Sequence, residues 1–176
     1  MEIDIEIANC QDSLEVDSEQ LYATAAAVLR DRGVDSAQVS IAVVDDAVIR
    51  ELENRYHGID EATDVLSFDM RDEITGESDP SGKTDSDGGS GSADESESVP
   101  QVDCEIVINA QQALSVAQAG GHEPGAELNL YLVHGLLHQL GFDDRTAAQA
   151  EKMHKKEDQL LDQLGFGEVF YRVDKE

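Results

Sequence analysis

The sequence predicts an α/β (α+β) fold in a single domain over residues 1–176: four strands, about five helices, and a metal site on one helix and the turn after it. Three observations carry this. Four short runs are rich in β-branched residues and have strand length. Five longer stretches have helical apolar spacing between recognisable start and stop residues. The chain has 176 residues and 40% hydrophobic content, enough for one core and ordinary for a globular protein.

The elements follow in order. Ile3, Ile5 and Ile7 alternate with acidic residues, as on a half-buried strand. Asp17 to Arg32 is a helix, with Asp17 and Gln20 placed for a capping box and Gly33 as its stop. Gln38 to Val44 (QVSIAVV) is the second strand. A helix opened by Asp45 or Asp46 runs to about Tyr56. Asp64 to Asp69 (DVLSFD) and Glu105 to Ile108 (EIVI) are the third and fourth strands. Asn109 opens a helix that stops at Gly120-Gly121. Glu127 to Leu140 is the next helix, with a buried stripe of Leu128, Leu132, Val133, Leu136, Leu137 and Leu140. Thr146 and Gln149 form a capping box for the last helix, which ends near Leu164-Gly165.

Residues 71–100 break the pattern. This stretch is rich in Ser, Gly, Asp and Glu and nearly empty of large apolar side chains. It cannot bury enough surface to offset its ordering entropy, so it predicts a disordered acidic insertion within one domain. Neither flank alone has enough elements for a core. The insertion also lacks the spacing of an EF-hand calcium loop.

Charge narrows the function. Thirty-nine acidic residues against 12 basic ones leave a net charge of −27. Such a field repels polyanions at long range and argues against a nucleic-acid coat protein. It does not exclude a nuclease, because a bound cation and a few local basic groups dominate at a site while salt screens the rest. The acidity fits a saline cytoplasm or a need for solubility. No run has transmembrane length, and MEIDIEIANC lacks the regions of a signal peptide, which predicts a soluble cytoplasmic protein with no membrane partner. Cys10 and Cys104 are read as reduced and structural. His122 and His154 have no partner at ligand spacing and are expected on the surface.

The chemistry concentrates in HGLLHQLGFDD, residues 134–144. His134 and His138 are one helical turn apart on one face. Gly141 can take the left-handed conformation that turns the chain back. Asp144 follows as a third ligand, with Asp143 as its competitor. Two imidazoles and a carboxylate with one open position suit catalytic zinc. A histidine pair alone is also compatible with hydrogen-bonded core residues; the glycine and the Asp-Asp favour the metal. Gly135 stands where H-E-x-x-H peptidases carry their glutamate base.

Three ordered blocks resemble the YbeY family of metal-dependent endoribonucleases, the rRNA maturation factors. HGLLHQLGFDD matches the family signature H-G-x-L-H-x-x-G-Y-D-H. LENRYHGIDEATDVLSF at 52–68 matches L-N-x-x-Y-R-x-x-D-x-x-T-D-V-L-S-F, and CEIVI at 104–108 loosely matches G-D-I-V-I. The resemblance implies a small mixed sheet with surrounding helices and one Zn2+ held by three residues in a cleft. It implies cleavage of single-stranded RNA, in maturation of the 16S rRNA 3′ end and in ribosome quality control. The implied partners are single-stranded rRNA, the small ribosomal subunit and its assembly factors.

By position, the metal ligands would be His134, His138 and Asp144, the last replacing the family's third histidine. Aspartate binds zinc at a similar distance but is shorter and adds negative charge, which makes the metal less electrophilic. His57 replaces the family's phosphate-contacting arginine; it is charged only at lower pH and lacks the guanidinium fork. Thr63, Asp64 and Ser67 lie on the strand that lines the cleft in family members, and Asp64 and Ser67 join His57 as catalytic candidates. Two rivals stand beside this reading: a zinc peptidase, disfavoured by Gly135, and a non-catalytic ribosome-assembly factor that keeps the metal site.

Overall fold

The computed structural model describes residues 2–71 and 101–167. Its strands are β1 (Glu2–Asn9), β2 (Ser36–Val44), β3 (Val65–Asp69) and β4 (Gln101–Asn109). Its helices are α1 (Ser18–Asp31), α2 (Asp46–His57), α3 (Ala110–Gly120), α4 (Pro124–Gln139) and α5 (Ala147–Gln163). The predicted insertion, apart from Arg71, lies outside the described residues.

Local chemistry sets most helix starts. The Asp17, Asp45 and Asn109 side chains accept backbone N–H groups in the first turns of α1, α2 and α3. The Thr146–Gln149 capping box forms in full on α5. At α1 the expected box is only half made. Asp17 accepts from the Gln20 amide, while the Gln20 side chain accepts from Asn129 of α4 at 3.4 Å. Helix α4 starts earlier than expected, with Pro124 at its first positions, where its missing N–H costs nothing.

The strand order is β1-β2-β4-β3. The β1–β2 and β2–β4 pairs are parallel and β3–β4 is antiparallel, a mixed sheet as expected. Strand β4 is longer than predicted. Its alternating burial already begins at Val102 and it pairs along the whole of β2.

Residue parity divides the sheet. Val39, Ile41, Val43, Val102, Cys104, Ile106 and Ile108 join the main core with α1, α3, α4 and α5. Val44, Leu66 and Val107 face the other way, with Ile49 of α2. Helix α4 is the centre of the main layer, with Leu132, Val133, Leu136 and Leu137 wholly buried. It lies close on β3 and β4. A Cβ at Gly135 would sit 3.1 Å from Val65 Cγ2 and 3.2 Å from Ile106 Cγ2. Among the described residues no helix is long and apolar enough to cross a membrane.

Candidate metal centre

The last turns of α4 carry His134 and His138, with ring centroids 4.6 Å apart. Their Nδ1 atoms have separate partners. His134 Nδ1 lies 2.6 Å from Oε1 of Glu157, a buried carboxylate on α5. His138 Nδ1 donates to the Phe142 carbonyl at 3.2 Å. A carbonyl and a carboxylate both accept, so each neutral ring carries its hydrogen on Nδ1 and an open lone pair on Nε2. The two Nε2 atoms face each other at 3.0 Å. Two lone pairs at that distance repel unless a positive charge lies between them.

Asp144 completes the group. Its Oδ2 lies 3.8 Å from His134 Nε2 and 3.6 Å from His138 Nε2. These three residues form the one cluster among the described residues whose donor atoms could hold a metal ion, all within 4.8 Å. A tetrahedral zinc with bonds of ~2.0–2.1 Å separates its ligands by about 3.3 Å, so the spacing fits. The turn delivers Asp144 through Gly141, at φ 93°, while Phe142 N–H bonds back to the Leu137 carbonyl. Asp143 is occupied within that turn. It accepts from the Asp144 and Arg145 amides and pairs with the Arg145 guanidinium at 3.2 Å.

Burial pushes the His134 pKa down. The Glu157 hydrogen bond and charge, with Asp64 and Asp144, outweigh it and hold His134 above the usual histidine value. Asp64 sits at the start of β3, accepting from Val65 N–H at 2.9 Å and from the Thr63 hydroxyl at 3.2 Å. Ser67 accepts from Gln139 Nε2 at 3.2 Å, next to His138 in the chain. Asp64 and Ser67 thus border α4. His57 does not join them. It is exposed at the end of α2, with Nδ1 3.0 Å from Glu53 Oε2.

Comparison with known proteins places this arrangement. A model of the family described as Endoribonuclease YbeY matches residues 6–165. A Geobacillus thermodenitrificans protein named endoribonuclease YbeY is 37% identical over 147 residues, 84% of each chain. Those of Desulfitobacterium hafniense and Bacillus subtilis are 36% and 33% identical over 131 residues, 74% of each chain. The chain belongs to the YbeY endoribonuclease family. A solution structure from Thermotoga maritima shares the fold, with TM-score 0.55 at 18% identity, covering 91% of this chain and 88% of that one.

Against the family frame, several sequence expectations need correction. His122 is not a surface residue. Its side chain is 4% exposed and Nε2 lies 2.9 Å from Glu127 Oε1, itself buried on α4. Burial raises the Glu127 carboxyl pKa, against the His122 hydrogen bond and charge. His154 is half-buried on α5 and has an interaction partner. Cys10 is exposed at the end of β1, so only Cys104 is a core residue, its thiol pushed up to about 12 by burial and then by Asp103 and Asp69.

Glu157 escaped the sequence reading. A signal was present: it interrupts the apolar stripe Met153, Leu160, Leu161 of α5, where a carboxylate needs a partner. Gly135 also gains a second meaning. It faces β3 and β4, so a peptidase-type glutamate there would point into the core.

Proposed function

We propose that this member of the YbeY family is a zinc-dependent endoribonuclease that cuts single-stranded RNA in 16S rRNA 3′-end maturation and ribosome quality control. The observation that carries this is the convergence of two Nε2 lone pairs and the Asp144 carboxylate on one point beside the cleft strand. His134, His138 and Asp144 would hold the ion, and the nitrogen-rich donor set suits zinc. When bound, the metal supplies Lewis acidity toward the scissile phosphate and an activated water. Glu157 and the Phe142 carbonyl orient the two imidazoles. Asp64 and Ser67 position substrate or ligands from β3. His57 stands in for the phosphate-contacting arginine from the end of α2, where its Nδ1 lies 3.0 Å from Glu53 Oε2. The acidic insertion leaves one metallohydrolase domain intact around it. The protein works in the cytoplasm on the small subunit with its assembly factors.

The direct test is incubation of the zinc-loaded chain with a single-stranded fragment of the 16S rRNA 3′ end. Endonucleolytic products are expected, and their loss with chelator. Absence of cleavage together with co-sedimentation on small subunits would favour the non-catalytic assembly role. Elemental analysis separates the aspartates: Asp144→Ala should lose most of its zinc, while Asp143→Asn should retain it. The reverse pattern would exchange their roles.

Glu157→Gln tests the orienting carboxylate. The amide oxygen still accepts from His134 Nδ1 but loses the charge that raises imidazole basicity. Such partners are worth about 10–100-fold in metal affinity. The zinc Kd, read by competition with a chromogenic chelator, should rise about tenfold, and further with Glu157→Ala. An unchanged Kd in both would remove Glu157 from the site.

A further inference from the structure

The turn that carries Asp144 has a second face. There a cleft of about 250 Å³ is lined by Arg32, Phe142, Asp143, Gln149 and Lys152, among others. The Arg32 guanidinium lies 5.1 Å from the centroid of the Phe142 ring and Lys152 Nζ 5.8 Å from it. Both cations are exposed, and neither has a carboxylate at ion-pairing distance among the described residues.

That is unusual for a chain with 39 acidic residues and 12 basic ones. Neighbouring acids are already engaged. Asp143 is held by two backbone amides and Arg145, Asp31 by Lys156 at 2.7 Å, and Glu151 by Lys155 at 2.7 Å. The Gln149 side-chain oxygen accepts from Thr146 N–H. Among the described residues, two cations thus converge on one aromatic ring with no carboxylate paired to either. In a chain of net charge −27, unpaired cations of this kind are where a polyanion meets least repulsion. The place is also tied to the metal centre. Phe142, whose ring both cations approach, offers its carbonyl to His138, and Asp143 adjoins Asp144.

We propose that Arg32 and Lys152 form a phosphate subsite, which grips the backbone of single-stranded RNA beside the scissile bond. This rests on the RNA-cleaving reading of the metal centre. Phosphate contacts fix the register of a strand without reading its sequence. Phe142 keeps the two cations together and links their occupancy to the orientation of His138.

The test uses the full chain freed of metal by chelator, so that RNA is bound but not cut. A fluorescently labelled single-stranded RNA dodecamer is titrated by anisotropy over a series of KCl concentrations. Each single-strand phosphate contact contributes about 0.7 to the slope of log K against log salt. The double variant Arg32→Gln/Lys152→Gln should bind about tenfold or more weakly at low salt, with a slope smaller by about 1.4. The charge-conserving Arg32→Lys/Lys152→Arg should keep most of the slope, and the zinc Kd of the double glutamine variant should match that of the unaltered chain. An unchanged RNA Kd and slope in the double glutamine variant would overturn the subsite. So would a weakened zinc Kd with unchanged RNA binding, which would assign the pair to supporting the turn. If the unaltered zinc-loaded chain cuts RNA while the double variant binds normally, only the subsite fails. If the unaltered chain neither binds nor cuts RNA, the functional reading fails with it.

Discussion

His138→Ala should strip the protein of zinc and abolish RNA cleavage while leaving the fold intact. The loss removes one of three donors, so zinc affinity should fall by more than the about 10–100-fold that loss of a mere orienting partner costs. The structural cost is small, because His138 is half-buried and its contacts are the Phe142 carbonyl, His134 and, at 3.6 Å, Asp144. A neutral hydrogen bond of that kind contributes roughly 1 kcal/mol. The metal-free forms should differ less, because without the ion the Nε2 atoms of His134 and His138, 3.0 Å apart, have no metal for the substitution to remove. Chelator should therefore lower the Tm of the unaltered chain, by loss of a ligand that binds only the folded state, and leave that of His138→Ala nearly unchanged. Elemental analysis and thermal unfolding with and without chelator read both effects. Full zinc content in the variant would remove the site.

Gly135→Glu should unfold the protein or leave it insoluble. Position 135 is one residue beyond His134, about 100° around the helix, and it faces the sheet. Val65 and Ile106 methyl groups already stand 3.1 and 3.2 Å from where a Cβ would lie. A glutamate there needs space that the packing lacks, and it buries a carboxylate among aliphatic groups. Overpacking costs about 1–3 kcal/mol and an unpartnered buried polar group several more. The sum approaches the 5–15 kcal/mol total stability of a typical domain. Gly135→Ala separates the two terms. Its methyl group gains about 1 kcal/mol of helix propensity against the close contact, so denaturant unfolding should shift little. A soluble Gly135→Glu protein with unaltered stability would mean that α4 does not lie on β3 and β4 as described. The same packing explains why the peptidase pattern is absent: a base at 135 could not reach a metal held by its neighbours.

The Arg32–Phe142 and Glu157–His134 contacts lay beyond sequence reading. Glu157 comes to His134 from a separate helix, 23 residues on. Arg32 reaches Phe142 from the end of α1. Such pairs depend on how α1, α4 and α5 pack, and nothing in local spacing encodes the approach. His122 failed for a related reason. Its partner Glu127 is only five residues away, but the burial of both depends on how the start of α4 sits beside α3.

The sequence by itself determined what is short-range. Helix caps at Asn109 and Thr146, the alternation in β1, and the Gly141 turn act over a few residues, where backbone hydrogen bonding and side-chain periodicity decide. The grouping of His134 with His138 was legible for that reason, and that of Asp144 because a single turn brings it back. Tertiary structure alone decided the strand order, the full length of β4, the reason for Gly135 and the partners that orient each imidazole. Those depend on which surfaces meet, and burial is a property of the packed whole that no single segment carries.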